Sequence, residues 1–274
     1  MLILHWVFPI NIFLEMATFL FDRTIFGPVI SRRLGESLGI NLLPDKRKIC
    51  NFNCIYCECG PTHSTNISNF KIPSRDEVKE KLESRLKEIK INGSLINTIT
   101  FAGNGEPTLH PDFPGIIDDT IELRSEYMPG VNIAVLSNAT LIGDDKIFNA
   151  LNKIDLNILK LDSAFEDTNK TINCPLSDFD LGRTIEYLKK FDGNLIIQTL
   201  FFKGTYNDNE VNNTTKKEIT RWLKVINYIK PESVMIYTIA RDTPNKGLHK
   251  IPLDELMHIS KKVEKLGIRT HISG

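Results

Sequence analysis

Four of the chain's five cysteines, Cys50, Cys54, Cys57 and Cys59, stand within the ten residues CNFNCIYCEC. Thiols so crowded cannot staple distant parts of a fold. They read instead as metal-bound thiolates in a reducing compartment. Two kinds of site fit the spacing. Cys50-x3-Cys54-x2-Cys57 followed by Cys59 could give four thiolates to one tetrahedral zinc ion, although structural zinc usually ties two separated segments together. An iron-sulfur cluster is larger and accepts three ligands from one compact loop, which leaves one iron open to a substrate or cofactor. Lys46, Arg47 and Lys48 lie just upstream, where positive charge favours thiolates; they also read as a solvated run. Cys59 fits a fourth ligand, a neighbour of the other three, or a bystander of the Gly60-Pro61 turn. Cys174, solitary before Pro175, reads as packing.

The elements that must position these groups follow from the apolar pattern. Short β-rich runs recur as SLGINLL from residue 37, INTITFA from 96, VNIAVLS from 131, LNILKLD from 156, NLIIQTLF from 194 and ESVMIYTI from 232. Helix-like segments separate them. Ser74 with Glu77, and Thr215 with Glu218, form capping boxes ahead of apolar residues at helical spacing. Apolar strands alternating with amphipathic helices predict a parallel sheet covered by helices, an α/β fold closing into an open or partial barrel.

Polar clusters follow the strands. GNGEP (103–107) comes after the second run and SNATL (137–141) after the third; the fourth ends in Lys160 and Asp162, the fifth carries Gln198 and Thr199, and the sixth leads into YTIARDTP (237–244). Each alone reads as a turn, a helix cap or a loop end. Together with the cysteines they occupy one rim, the face on which α/β sheets and barrels build active sites.

Composition sets the frame. With 274 residues, 41% of them hydrophobic, the chain supports one large core. Lys plus Arg equals Asp plus Glu at 34 each, so no net field attracts nucleic acid or anionic lipid. The opening MLILHWVFPINIFLEMATFLF lacks a basic flank and is interrupted by Pro9, Asn11 and Glu15, unlike a signal or anchor. Residues 1–24 read as an extension, with a start at Met16 as the simpler account, and 25–274 as a single domain.

Cys50-x3-Cys54-x2-Cys57, with Tyr56 before the third cysteine, resembles the signature of the radical S-adenosylmethionine (radical SAM) superfamily. GNGEP resembles that superfamily's Gly-Gly-Glu motif, with Asn104 in place of the second glycine. The six-unit layout is similar to its partial (β/α)6 barrel. FGPVISRRLGESLGINLLP together with CNFNCIYCECG further resembles short stand-alone iron-sulfur oxidoreductases related to the radical SAM domain of the tRNA wybutosine-synthesis enzyme.

The resemblance implies an enzyme in which Cys50, Cys54 and Cys57 hold three irons of a 4Fe-4S cluster, and the methionyl end of SAM chelates the fourth. It places Tyr56 near the adenine and Gly103, Gly105 and Glu106 at the methionine ammonium. Ser137, Asn138 and Lys160 suit the SAM carboxylate or ribose, and Asp162 and Gln198 the ribose hydroxyls. It further implies a 5′-deoxyadenosyl radical that abstracts hydrogen, a flavodoxin or ferredoxin as electron donor, and a cytoplasmic location. The substrate stays open. No cysteine precedes Cys50, whereas the wybutosine-synthesis enzymes carry an additional set there. A glycyl-radical activating enzyme with a protein substrate competes with a tRNA-modifying enzyme, and a zinc- or cluster-bearing scaffold is the non-catalytic alternative.

Overall fold

The computed structural model describes residues 19–62, 64–241 and 243–274. The N-terminal extension is therefore described from residue 19 onward, and the start at Met16 lies outside these residues. All six apolar runs form strands; strands buried on both faces have no solvent side to mark with alternating polar residues. In chain order the elements are β1 (Ile25–Ser31), β2 (Gly35–Ile40), α1 (Arg75–Ile91), β3 (Thr98–Phe101), α2 (Phe113–Tyr127), β4 (Asn132–Ser137), α3 (Asp145–Leu151), β5 (Leu156–Lys160), α4 (Glu166–Asn173) and α5 (Leu181–Lys190). They continue with β6 (Ile196–Leu200), β7 (Phe202–Tyr206), β8 (Asn209–Asn212), α6 (Lys216–Ile229), β9 (Ser233–Tyr237), β10 (Leu248–Lys250), α7 (Leu253–Glu264) and β11 (Arg269–Ser273).

The main sheet runs β1-β2-β3-β4-β5-β6-β9-β11. β1 folds back antiparallel on β2, and every later neighbour is parallel. Alternate residues divide two layers. Leu38, Ile99, Phe101, Ile133, Val135, Leu159, Ile197 and Val234 pack under the helices in the large core. Ala134, Ile158, Ile196 and Met235 belong to a separate cluster inside the sheet with Leu34. Arg33, in the turn between β1 and β2, donates from Nη1 to Gln198 Oε1 on β6 at 2.8 Å. These elements are remote in strand order and meet because the sheet curls into a partial (β/α)6 barrel with its helices outside.

Both expected helix starts are present. The Ser74 and Thr215 hydroxyls accept from the amides of Glu77 and Glu218, each at 3.2 Å. Glu218 does not reach back to close its box; its carboxylate accepts from the Ser163 and Thr168 hydroxyls, both at 2.7 Å, and so ties α6 to the segment after β5. Beyond the six expected units the chain adds β11 and a three-stranded antiparallel sheet ordered β10-β7-β8. Phe202, Val211 and Leu248 of that sheet pack with Ile55, Tyr56 and Ile172 in a second core. The cysteine loop is thereby held between the barrel mouth and the small sheet. Among the described residues no helix is long and apolar enough to cross a membrane.

Candidate functional site

The cysteine loop leaves β2 and is closed on itself by Lys48. This side chain is buried, and its Nζ donates to the Gly60 carbonyl at 3.0 Å. Burial pulls the Lys48 ammonium down, but the sulfurs of Cys57, Cys54 and Cys50 more than offset it, so its pKa is raised. An obligate cation therefore sits among the thiols. The loop amides of Asn53 and Ile55 donate to the carbonyls of Asn173 and Ile172, each at 3.0 Å, and so satisfy the C-terminal end of α4. Cys54 Sγ donates to Asn173 Oδ1 at 3.3 Å. Cys174 ends that helix in the left-handed conformation and packs at the margin of the second core.

The four thiols differ in environment. Burial, followed by the neighbouring Cys54, pushes Cys50 up to about 12, and burial pushes Cys54 up to about 11. Cys57 goes the other way, to about 6, because Cys59 hydrogen-bonds to its sulfur, against burial and with help from Lys48. Cys59 itself is raised and keeps its proton. Its Sγ also lies 3.5 Å from the Gly103 carbonyl.

Glu106 is fully enclosed and ties its own loop to the loop after β4. Oε1 accepts from the Thr108 amide (3.2 Å), the Thr108 hydroxyl (2.6 Å) and the Ser137 hydroxyl (2.9 Å), while Oε2 accepts from the Asn138 amide at 2.6 Å. Burial raises its pKa despite those four donors. Asn138 continues the chain of contacts: its Nδ2 donates to Asn51 Oδ1 at 2.6 Å and lies 3.5 Å from Cys50 Sγ. The Phe52 amide is 3.4 Å from the same sulfur. Hydrogen bonds to sulfur are characteristic of cluster thiolates and tune them.

The glycines of GNGEP serve close packing. A Cβ on Gly103 would meet Asn41 Oδ1 at 2.4 Å, and one on Gly105 would meet the Ile49 carbonyl oxygen at 1.7 Å. Asn104, wholly buried, holds the segment before β1: Oδ1 accepts from the Phe21 amide and Nδ2 donates to the Phe21 carbonyl, both at 2.8 Å. Nδ2 also donates to the Pro44 carbonyl at 2.7 Å.

A second group gathers on the far strands. Tyr56 donates to Asp162 Oδ2 at 2.5 Å, Lys160 pairs with the same oxygen at 2.8 Å, and the Lys160 Nζ also reaches the Tyr56 hydroxyl. Burial pulls Lys160 down, and Asp162, Cys54 and Tyr237 together more than restore it, so this lysine is raised and charged. Gln198 is the register partner of Lys160 on the next strand.

Most of the residues singled out after the strands thus fall into two groups on one rim, while Thr199 turns to the Leu161 carbonyl and Cys174 to the second core. Glu106, Ser137 and Asn138 join Cys50, Gly103 and Gly105 let the cysteine loop approach, and Tyr56, Lys160 and Asp162 form the other network beside Gln198. Between them opens a cavity of about 400 Å³ whose lining includes Cys57, Cys59, Gly103, Gln198 and Tyr237. The arrangement offers a cluster of thiols at the wall of a partly open chamber of mixed polar and apolar lining, a setting in which a bound molecule can be held beside sulfur. Sequence reasoning missed Arg33 and Asn173, and gave Tyr237 of YTIARDTP no role of its own. Arg33 sits in the basic pair of a short turn, Tyr237 within an apolar run, and Asn173 in a helix that carries no motif.

Residues 48–217 match the family model of the radical SAM superfamily. A UPF0026 protein of Helicobacter pylori is 34% identical over 250 residues, which cover 88% of this chain and 74% of that protein. A Brachyspira hyodysenteriae protein named GTPase Obg is 33% identical over 244 residues, 88% of this chain. The match spans 33% of that relative's length. Among solved structures, a radical SAM methyltransferase from Sphaerobacter thermophilus superimposes with a TM-score of 0.64 at 12% identity, over 86% of this chain and 65% of that one. TYW1 with a lysine-pyruvate adduct bound gives 0.59 at 16% identity, over 84% and 73%. At these identities the likeness is one of fold.

Proposed function

Because the chain belongs to the radical SAM superfamily, we propose that it is an enzyme whose Cys50, Cys54 and Cys57 hold a 4Fe-4S cluster and whose barrel binds SAM. The observation that carries this reading is the placement of the cysteine loop at the barrel mouth, with Cys57 on the wall of the same cavity that Gly103 and Gln198 line. The donor set fits the cluster. Three thiols come from one loop, N–H groups of Phe52 and Asn138 lie near Cys50 Sγ, and Lys48 supplies a buried charge that offsets thiolate repulsion. Among the described residues no three His, Cys, Asp or Glu side chains converge on a point for one metal ion. Three thiolates on three separate irons do not require such convergence.

A cluster held by Cys50, Cys54 and Cys57 would, when reduced, supply the electron for reductive cleavage of SAM, the chemistry that starts hydrogen abstraction from a substrate. The chain's own residues hold and enclose. On this reading Tyr56, Gly103, Gly105, Glu106, Ser137, Asn138, Lys160, Asp162 and Gln198 build the SAM side of the cavity. Glu106 acts by fixing Ser137 and Asn138, since all four of its bonds go to the chain. The Lys160, Asp162 and Tyr56 group stiffens the opposite wall, and Lys48 keeps a fixed positive charge beside the sulfurs. An electron donor of the flavodoxin or ferredoxin class completes the reading.

The test is anaerobic reconstitution, iron and sulfide determination, and an assay for 5′-deoxyadenosine with SAM and a chemical reductant. Deoxyadenosine formation that disappears in Cys50→Ala, Cys54→Ala and Cys57→Ala supports the proposal. A protein that fills with one zinc ion on four thiols, or that forms no deoxyadenosine at full iron content, overturns it.

A further inference from the structure

Arg33 places a guanidinium inside the barrel. The Ser31 hydroxyl accepts from the Leu34 amide at 3.2 Å and so shapes the turn between β1 and β2. Ser273 at the far end of the sheet lies against it, its hydroxyl 3.5 Å from the Arg32 carbonyl oxygen. The turn directs Arg33 across the lumen, where Nη1 donates to Gln198 Oε1 at 2.8 Å and Cζ stands 4.6 Å from the Tyr237 ring centre. Both contacts hold the group without neutralising it: the amide oxygen is uncharged and the ring offers its π face. Among the described residues no carboxylate lies within ion-pair distance of Arg33. Of the other charged groups described in the cavity lining, Glu58 is paired with Arg241 at 2.7 Å, and Arg32 is exposed. A guanidinium oriented by a π face and an amide, with no counter-ion of its own, fits a planar or tetrahedral oxyanion.

We propose that Arg33 is the anion-binding group of the substrate site, so that the molecule acted on carries a carboxylate or phosphate gripped by the guanidinium beside Gln198 and Tyr237. The inference rests on the radical SAM reading. In that reading the SAM carboxylate belongs to the open iron, which leaves Arg33 for the substrate. The shared chemistry is an oxyanion, and its two possible sources are SAM and a second molecule.

The experiment separates them on the full chain with its cluster, without reductant. Malonate and inorganic phosphate serve as probes, titrated calorimetrically into SAM-saturated protein, and SAM is titrated on its own. In Arg33→Gln the probe affinity should fall about tenfold or more, as expected for loss of one charge-assisted pair, while Arg33→Lys recovers part of it and SAM affinity falls by far less than probe affinity in both. In the unaltered protein, either probe should protect Arg33 from phenylglyoxal when SAM is already bound, read by peptide mass. Should Arg33→Gln fail to fold, this protection and the lysine variant decide. Loss of SAM affinity in step with probe affinity assigns Arg33 to the SAM carboxylate and overturns the proposal. Equal probe binding in Arg33→Gln, or no protection, overturns it as well. A protein that forms no deoxyadenosine yet binds malonate through Arg33 defeats the radical SAM reading and leaves the anion site standing.

Discussion

The Cα of Gly105 lies so close to the Ile49 carbonyl oxygen that a Cβ there would sit 1.7 Å from it. The two loops are stitched at that point by Ile49 N–H to the Asn104 carbonyl (2.9 Å) and Glu106 N–H to the Ile49 carbonyl (3.1 Å). Gly105 also has a φ of 136°, which side chains disfavour. Gly105→Ala must part the cysteine loop from the GNGEP loop. We expect a loss of about 3 kcal/mol in stability, measured by urea unfolding of the metal-free chain, together with incomplete iron loading. An unchanged unfolding midpoint would contradict this packing.

Glu106→Gln tests the tie between the GNGEP loop and the loop after β4. Oε1 faces the Thr108 amide and Oε2 faces the Asn138 amide, two fixed donors. An NH2 group in either position points a donor at a donor. The hydroxyls of Thr108 and Ser137 can rotate, but the two backbone amides cannot. Stability should fall by about 1 to 3 kcal/mol even with no SAM present, and SAM affinity should fall with it. Full stability accompanied by weaker SAM binding would instead mean that the carboxylate acts directly on the ligand.

Cys57 can be told from the other thiols of the loop by its proton. In the metal-free chain Cys57, at about 6, is the ionised thiol near neutral pH, while Cys50 and Cys54 hold their protons. Iodoacetamide should therefore modify Cys57 ahead of those two, at a rate that rises through about pH 6 as the thiolate forms. Cys59→Ala removes the hydrogen bond that lowers Cys57, so the midpoint of that rate profile must move upward. The same variant should keep a full iron complement, whereas alanine at Cys50, Cys54 or Cys57 should lose it. Equal iron loss in all four would revive a four-thiolate site.

Asn104→Gly restores the glycine usual at this position of the motif, and it should weaken the protein. The side chain replaced makes hydrogen bonds to both the amide and the carbonyl of Phe21 and one to the Pro44 carbonyl. Their loss, with added backbone freedom, is expected to cost about 2 kcal/mol, visible as a lower melting temperature. A chain beginning at Met16 retains all of these contacts and should melt like the full chain; one beginning at Arg23 loses both Phe21 bonds and should melt lower. Combining that deletion with Asn104→Gly should cost less than the sum of the two, because the Asn104–Phe21 bonds are lost in both.

Six of the seven parallel strands were legible because each is an apolar run set between helix-like segments, and the rim was legible because Cys50, Glu106, Asn138 and Asp162 all lie at the ends of such runs. The antiparallel sheet was not. Its strands, FKGTY, NEVN and LHK, are short and mostly polar, since only Phe202, Val211, Leu248 and the partly buried Tyr206 turn toward the second core. Lys48 and Arg33 were masked by basic neighbours. Lys48 shares a run with the exposed Lys46 and Arg47, and Arg33 follows the exposed Arg32, so burial that depends on tertiary closure left no local pattern. Asn104 was noticed as a departure from a motif, but its partner lies 83 residues earlier and no spacing rule connects the two.

That separation bears on the order in which the protein can be completed. The segment around Phe21 is made early, yet the side chain that secures it belongs to residue 104. During synthesis the segment must wait, without its latch, while β2, the cysteine loop, α1 and β3 emerge from the ribosome. Closing so long a loop carries an entropic cost that those intervening elements reduce once folded. A nascent chain stalled before residue 104 should therefore leave the Phe21 segment open to proteases, and release past that point should protect it.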